Sequence, residues 1–178
     1  MIKLETKLKS ELEQKLKNKG YSYSLNPDGY YIISPLNRIN LPIIAQVVES
    51  IPINQTVHGS QNGHEPDAIG FFRFKLAIDP QPDMVIFVFQ HLRNGSSVYM
   101  IIPAEILRKR LMKNKIMSMS EEYFELRLWL MDDKLYDTSN FGLEAEWFYL
   151  SDRKGGRMIE PPIWNYTSFL NNWILDSL

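Results

Sequence analysis

Between residues 69 and 107 three apolar, β-rich runs follow one another closely, and the polar rhythm on either side is arranged around them. From Ile69 to Ile78 one side carries Phe72, Phe74, Leu76 and Ile78, while Arg73 and Lys75 point the other way. That alternation is the period of a half-buried strand. Met84 to Phe89 is apolar without interruption, which predicts a strand covered on both faces. Between them, Asp79-Pro80-Gln81-Pro82-Asp83 removes two backbone donors and predicts a turn or loop. Asn94-Gly95 predicts a tight turn into a strand over Val98 to Ile102. Pro103 ends that strand and can open a helix from Ala104 to about Lys115. A meander followed by a helix is therefore expected at the centre of the chain.

The flanks follow the same logic. Leu4, Leu8, Leu12 and Leu16 form the apolar stripe of an amphipathic helix over residues 2–19, with Gly20 as its stop. Tyr21 to Leu25 and Tyr30 to Ser34 predict two strands joined by the turn sequence Asn26-Pro27-Asp28-Gly29. Ile43 to Val48 fits either a buried strand or a short helix, and its β-branched residues favour the strand. Residues 50–68 are polar and rich in turn formers, as in a long surface loop. Tyr123 to Met131 and Glu144 to Leu150 predict strands, and Ser151 to Arg157 a charged turn. Pro161-Pro162 leads into an expected terminal helix, Trp164 to Leu175, docked by Phe169, Leu170, Trp173 and Ile174. The order predicts an α+β (mixed α/β) fold. Its central mixed sheet is flanked by an N-terminal helix, a basic middle helix and a C-terminal helix.

Composition narrows the class. A chain of 178 residues with 44% hydrophobic and 12% aromatic content can bury a core, which excludes a mainly disordered protein and predicts one domain over 1–178. No run of 18 apolar residues is present, so no membrane span is expected. The charged first 20 residues lack a signal-peptide core, and the absence of cysteine removes disulfides, thiolate zinc sites and cysteine nucleophiles. A cytoplasmic location follows as the expectation.

The net charge of −1 hides an asymmetry. Arg108, Lys109, Arg110, Lys113 and Lys115 crowd the middle helix, whereas Glu121, Glu122, Glu125, Asp132, Asp133, Asp137, Glu144 and Glu146 dominate residues 121–146. Such a split either makes one face fit for an anionic partner or leaves two solvated surfaces. Five cations within residues 108–115 can neutralise phosphates if they share a face, and Tyr21, Tyr23, Tyr30 and Tyr31 are candidate stacking surfaces. Those tyrosines are equally consistent with a core.

Few fragments carry chemistry. His58, His64, Glu65 and Asp67 are either a loose ligand set or ordinary loop residues, and His91 has no evident acid partner. Gly155-Gly156 between Lys154 and Arg157 is either a phosphate cradle or a turn. Nucleophile elbows and phosphate-binding glycine loops are absent from the sequence.

A helix followed by three strands, with Pro27-Asp28 after the first strand and Glu49 closing a later one, resembles the opening of the restriction-endonuclease-like, or PD-(D/E)xK, nuclease superfamily. In that chemistry two carboxylates hold a divalent cation and a lysine orients or activates the attacking water. The resemblance implies Asp28 and Glu49 as Mg²⁺ ligands and catalytic acids, with Glu13 assisting. Arg108, Lys109, Arg110 and Lys113 would then grip DNA. The chain departs from the pattern at the motif lysine, where a valine stands, and Lys75 is the best spare lysine. Pro66-Asp67 with Arg73-Phe74-Lys75, and Pro82-Asp83 with Asp132-Asp133-Lys134, are substitute fragments. The expectation is a nuclease-like or DNA-associated protein, with an active or a degraded site. The other reading is a non-enzymatic immunity or accessory module whose acidic 121–146 region meets a basic protein. Exposed strand edges with Trp147 or Trp164 would suit a homodimer.

Overall fold

The computed structural model describes residues 6–36, 41–51, 66–76, 81–113, 123–139, 165–173 and 175. Helix α1 (Thr6–Asn18) turns Leu8, Leu12 and Leu16 to one side, and all three are buried. Fully burying a leucine contributes about 1.5–3 kcal/mol, so this stripe is enough to hold the helix on the sheet. Strands β1 (Tyr21–Leu25) and β2 (Tyr31–Pro35) form an antiparallel hairpin, and β2 pairs in turn with β3 (Ile43–Glu49). The run at 43–49 is thus a strand. The face they present to α1 carries Tyr21, Tyr31, Ile33 and Ala45, all buried.

Strand β4 (Ala68–Phe74) precedes β5 (Met84–His91), and β6 (Ser97–Pro103) follows after the turn at Asn94-Gly95. Residues 84–89 of β5 are buried on both faces, as their uninterrupted apolar run requires. Met84, Ile86 and Val88 join the cluster under α1, while Val85, Phe87 and Phe89 join a second cluster on the opposite side. Helix α2 (Ala104–Lys113) adds Ala104, Leu107 and Leu111 to that second cluster. Strands β7 (Phe124–Met131) and β8 (Lys134–Asp137) complete the sheet of eight strands, in the order β1-β2-β3-β5-β4-β7-β8 with β6 on β5's other edge.

The central meander differs from expectation in one respect. β3 lies parallel to β5 along Met84–Val88 and occupies that edge, so β4 meets β5 only at Ala68–His91 and Ile69–Gln90. From there β4 leaves the edge and crosses the face of β5, and Phe72 and Phe74 pack edge-on against Phe87 at 4.9 and 5.0 Å. Its long partner is β7, over seven positions from Ala68–Leu130 to Phe74–Phe124. Gly70 makes the crossing possible: a Cβ there would stand 2.5 Å from the Phe72 ring and 3.1 Å from that of Phe89.

Among the described residues the C-terminal helix expected over 164–175 is not formed. Residues 165–173 instead make a strap with one 3-10 turn, Thr167–Phe169, and two bridges, Asn165 to Tyr136 of β8 and Leu170 to Met100 of β6. The strap closes a ring of hydrogen-bonded neighbours, β5-β6-strap-β8-β7-β4-β5, around the second cluster. Asn165 Oδ1 accepts from the Thr167 amide, a local bond that competes with helix formation, and Thr167 Oγ1 accepts from the Leu135 amide of β8 at 3.0 Å. Beyond it, Trp173 and Leu175 enter the first cluster, so this short segment ties both cores together. The fold is α+β and strand-dominated. The strand expected at 144–150 and the turn at 151–157 lie outside the described residues.

Candidate nucleic-acid interface

Asp28 sits at the tip of the β1–β2 hairpin. Asn26 and Tyr30 pair across it, leaving Pro27-Asp28-Gly29 as a three-residue turn with Gly29 at φ +86°. The left-handed glycine and the proline explain the Pro-Asp dipeptide as turn chemistry. Asp28 is exposed, and its charge is felt by Tyr30, whose hydroxyl is pushed up first by burial and then by that carboxylate. Glu49 ends β3, half-buried, beyond the same end of the β2–β3 pair. Glu13 faces the other way into the helix–sheet contact, beside the hydroxyls of Tyr23 and Tyr31.

Lys75 follows β4, and its carbonyl accepts from Nε2 of Gln46 at 2.8 Å. Its ammonium lies over the ring of Tyr123, 4.6 Å from the centroid. Val48, at the place of the motif lysine, is buried in the second core cluster. Among the described residues no group of three or more His, Asp or Glu side chains is placed to hold a metal ion. Two carboxylates, one exposed in a turn, with an apolar residue where the lysine belongs, do not fit a Mg²⁺ site of the nuclease type.

The substitute fragments also have structural explanations. Asp132 and Asp133, at φ +46° and +61°, are the two-residue turn of the β7–β8 hairpin, a position that favours Asn, Asp and Gly. Asp67 accepts from the Asp132 amide at 3.0 Å, and Asp83 accepts from that of Ile44 at 2.8 Å. His58, His64, Glu65, Lys115 and Gly155-Gly156 lie outside the described residues.

On α2 the four cations have different fates. Lys109 is exposed and pairs with Glu105 one turn back at 2.6 Å, and Arg108 donates to Gln81 at 3.2 Å. Arg110 turns inward, donating to the Asn165 carbonyl at 2.8 Å with its guanidinium over Tyr166 and Phe169. Lys113 ends the helix. The helix therefore offers Arg108 and Lys109 outward, while Arg110 is part of the strap's anchorage.

A different surface emerges from the β4–β7 pairing. Phe72 and Phe74 on β4 and Leu126 and Leu128 on β7 face the core, so Phe71, Arg73, Glu125, Arg127 and Trp129 face outward. Lys75 and Tyr123 extend the two rows. Arg73 lies 5.1 Å from the Tyr123 centroid and Arg127 5.6 Å from that of Phe71, and Glu125 reaches Arg73 at 4.0 Å. Three cations, one acid and three aromatic rings share this face. Each strand's alternation announces half of it in the sequence, but the pairing joins residues about fifty positions apart, which no local pattern reveals. Of the tyrosines read as stacking candidates, Tyr21 and Tyr31 are core residues, and Tyr23 and Tyr30 are half-buried.

The acidic stretch does not assemble into one patch among the described residues. Glu125 lies among the cations, Asp132 and Asp133 form a turn, and Asp137 is buried with its carboxylate accepting from Ser139. Glu121, Glu122, Glu144 and Glu146 are not among them. Compared with protein-family models, with curated proteins and with solved structures, the chain finds no match in any of the three.

Proposed function

We propose that the protein associates with nucleic acid and carries a degraded, non-hydrolytic version of a nuclease-type site. The observation that supports this reading is the outward row of Arg73, Lys75 and Arg127 on β4–β7, set among aromatic rings with one carboxylate. Cations at that spacing neutralise successive phosphates and release their counterions. Arg108 and Lys109 on α2 add a second, weaker contact. The departure at Val48 and the turn role of Asp28 support the loss of hydrolysis. The protein-interaction reading has less behind it, because Asp137 is internal and Glu125 is locally compensated.

The test is nucleic-acid binding across a salt series, for the parent, an Arg73→Gln/Lys75→Gln/Arg127→Gln variant and an Arg108→Gln/Lys109→Gln variant. We expect a steep salt dependence whose slope falls by about one for each phosphate contact removed, mainly in the first variant. Absence of binding at low salt would overturn the proposal and turn the search to protein partners. Cleavage in Mg²⁺ or Mn²⁺ that disappears in Asp28→Ala would overturn the degraded site.

A further inference from the structure

We infer that the β4–β7 face takes single-stranded rather than duplex nucleic acid, with a base stacked at Tyr123 and the flanking phosphates held by Arg73 and Lys75; this rests on the nucleic-acid reading above. Tyr123 is the most exposed of the aromatic rings among the described residues, with 37% of its surface open to solvent. The other large exposed apolar side chains are aliphatic, and the core phenylalanines and most tyrosines are covered. An exposed ring beside two cations is poorly explained by stability, since a solvent-facing cation–ring contact contributes only about 0.5–1 kcal/mol.

The same weakness makes the arrangement adaptable. Arg73 and Lys75 lie over one ring at 5.1 and 4.6 Å, on long stems at exposed positions. Either cation can swing from the ring to a phosphate while a base takes its place over the ring. The ring contact given up is small, and a charge-assisted bond to phosphate is stronger, while Arg73 also has Glu125 at 4.0 Å to leave. Phe71 with Arg127 repeats the pattern across the strand pair, so a second base has a ring and a cation of its own. Trp129 continues the row on β7, half-buried.

Duplex fits this face less well. Paired bases are stacked on one another and show their edges, not their faces, so exposed rings would add nothing. Single strands expose a π-face at every base, and sheet surfaces that alternate rings and cations use it without sequence preference. Glu125 within the row disfavours simple adhesion to a uniformly negative surface, because its carboxylate would meet phosphate unless the strand is held by its bases.

The probes are a labelled oligothymidylate and a labelled duplex of equal length, titrated against the full chain at low and moderate salt. We expect the oligothymidylate to bind more tightly than the duplex. Tyr123→Ala should weaken it by about 5- to 140-fold, the range for loss of one base–aromatic stack, while leaving the duplex unchanged. Tyr123→Phe should retain the parental affinity, because the ring and not the hydroxyl does the stacking. Tyr123→Phe keeps the ring and should melt with the parent, whereas Tyr123→Ala loses a partly covered ring and both cation contacts, so its melting temperature is measured beside it and affinity is read where the variant is fully folded. If Tyr123→Ala matches the parent on both probes while the Arg73/Lys75/Arg127 variant loses binding, the stacking inference falls and the nucleic-acid reading stands. If neither probe binds at low salt, both fall.

Discussion

The guanidinium of Arg110 lies 4.7 Å from the ring centre of Tyr166 and, at the same time, donates to the carbonyl of the residue before it, Asn165. Phe169 stands 5.1 Å away on the same cation. A side chain that reads in the sequence as one of a run of surface charges is thus the pin that fastens the C-terminal strap to α2. Asp137, buried nearby, acts on Tyr166 in the opposite sense to Arg110.

Arg110→Ala should therefore act on stability and not on binding. It removes a charge-assisted hydrogen bond and the packing of the stem over two rings, for a loss of about 2–3 kcal/mol. Denaturant unfolding would show the loss, and hydrogen exchange would place it at residues 165–171. Nucleic-acid affinity in the folded protein should stay at the parental value, unlike in the Arg108/Lys109 variant. A fall in affinity with unchanged stability would return Arg110 to the binding surface.

Gly70→Ala tests the crossing of β4 over β5. The added methyl would stand 2.5 and 2.7 Å from ring carbons of Phe72, a ring wedged between Phe87 and Phe89. Relief requires moving a packed ring or the strand, so the expected loss is about 1–3 kcal/mol, as for other overpacked cores. Thermal melting gives the value. A variant as stable as the parent would mean that Phe72 has another rotamer open to it.

Local pattern made much of the architecture legible, and the reasons can be named. The leucine stripe of α1, the unbroken apolar run of β5 and the turn residues at 26–29 and 94–95 each act over a few positions. Their elements appear near where the period places them. What escaped was decided at long range. β3 captured the edge of β5 that a simple meander would give to β4, and β7 then became the partner of β4. The 165–173 strap has helix-compatible spacing, yet its backbone is bound to β6 and β8, so tertiary hydrogen bonds overrode propensity. The candidate site shared this fate. Lys75 was visible as a notable lysine, but its neighbour Tyr123 directly precedes β7, which sequence alone does not place beside it.

Tyr21→Phe probes the other end of the strap. The Tyr21 hydroxyl donates to the Trp173 carbonyl at 2.9 Å and accepts from the Leu175 amide at 3.3 Å, in a buried setting. The Leu175 amide also donates to the Trp173 carbonyl at 3.0 Å, so removing the hydroxyl takes one of two bonds from each group and costs about 0.5–1.5 kcal/mol. Amide exchange at Leu175 should rise more than the global loss accounts for, because the contact is local. Equal protection in parent and variant would show that another group holds the segment.

The buried tyrosines set the alkaline limit of the fold. Among the described residues the hydroxyls of Tyr31, Tyr99 and Tyr166 are buried and meet no partner in good hydrogen-bond geometry, although Ser97 stands close to that of Tyr99 and Arg110 to that of Tyr166. Burial pushes the Tyr31 hydroxyl up to about 12, with Glu13 adding to it, and raises those of Tyr99 and Tyr166 as well. In the unfolded chain these groups lose their protons near the ordinary value of 10.0. Between about pH 10 and 12 the folded chain therefore holds protons that the unfolded chain has released, and stability must fall as pH rises. Below pH 10 both states are protonated and the contribution is constant. We expect the denaturant midpoint to be insensitive to these groups up to about pH 10 and to drop beyond it. The share of phenolate absorbance that Tyr31→Phe removes should appear late and together with unfolding. Tyr31→Phe should reduce the alkaline slope, and because the hydroxyl it removes is unsatisfied, it should cost nothing at neutral pH or add up to about 1 kcal/mol. If the absorbance that Tyr31→Phe removes appears near pH 10 in a chain still folded, water reaches the Tyr31 hydroxyl.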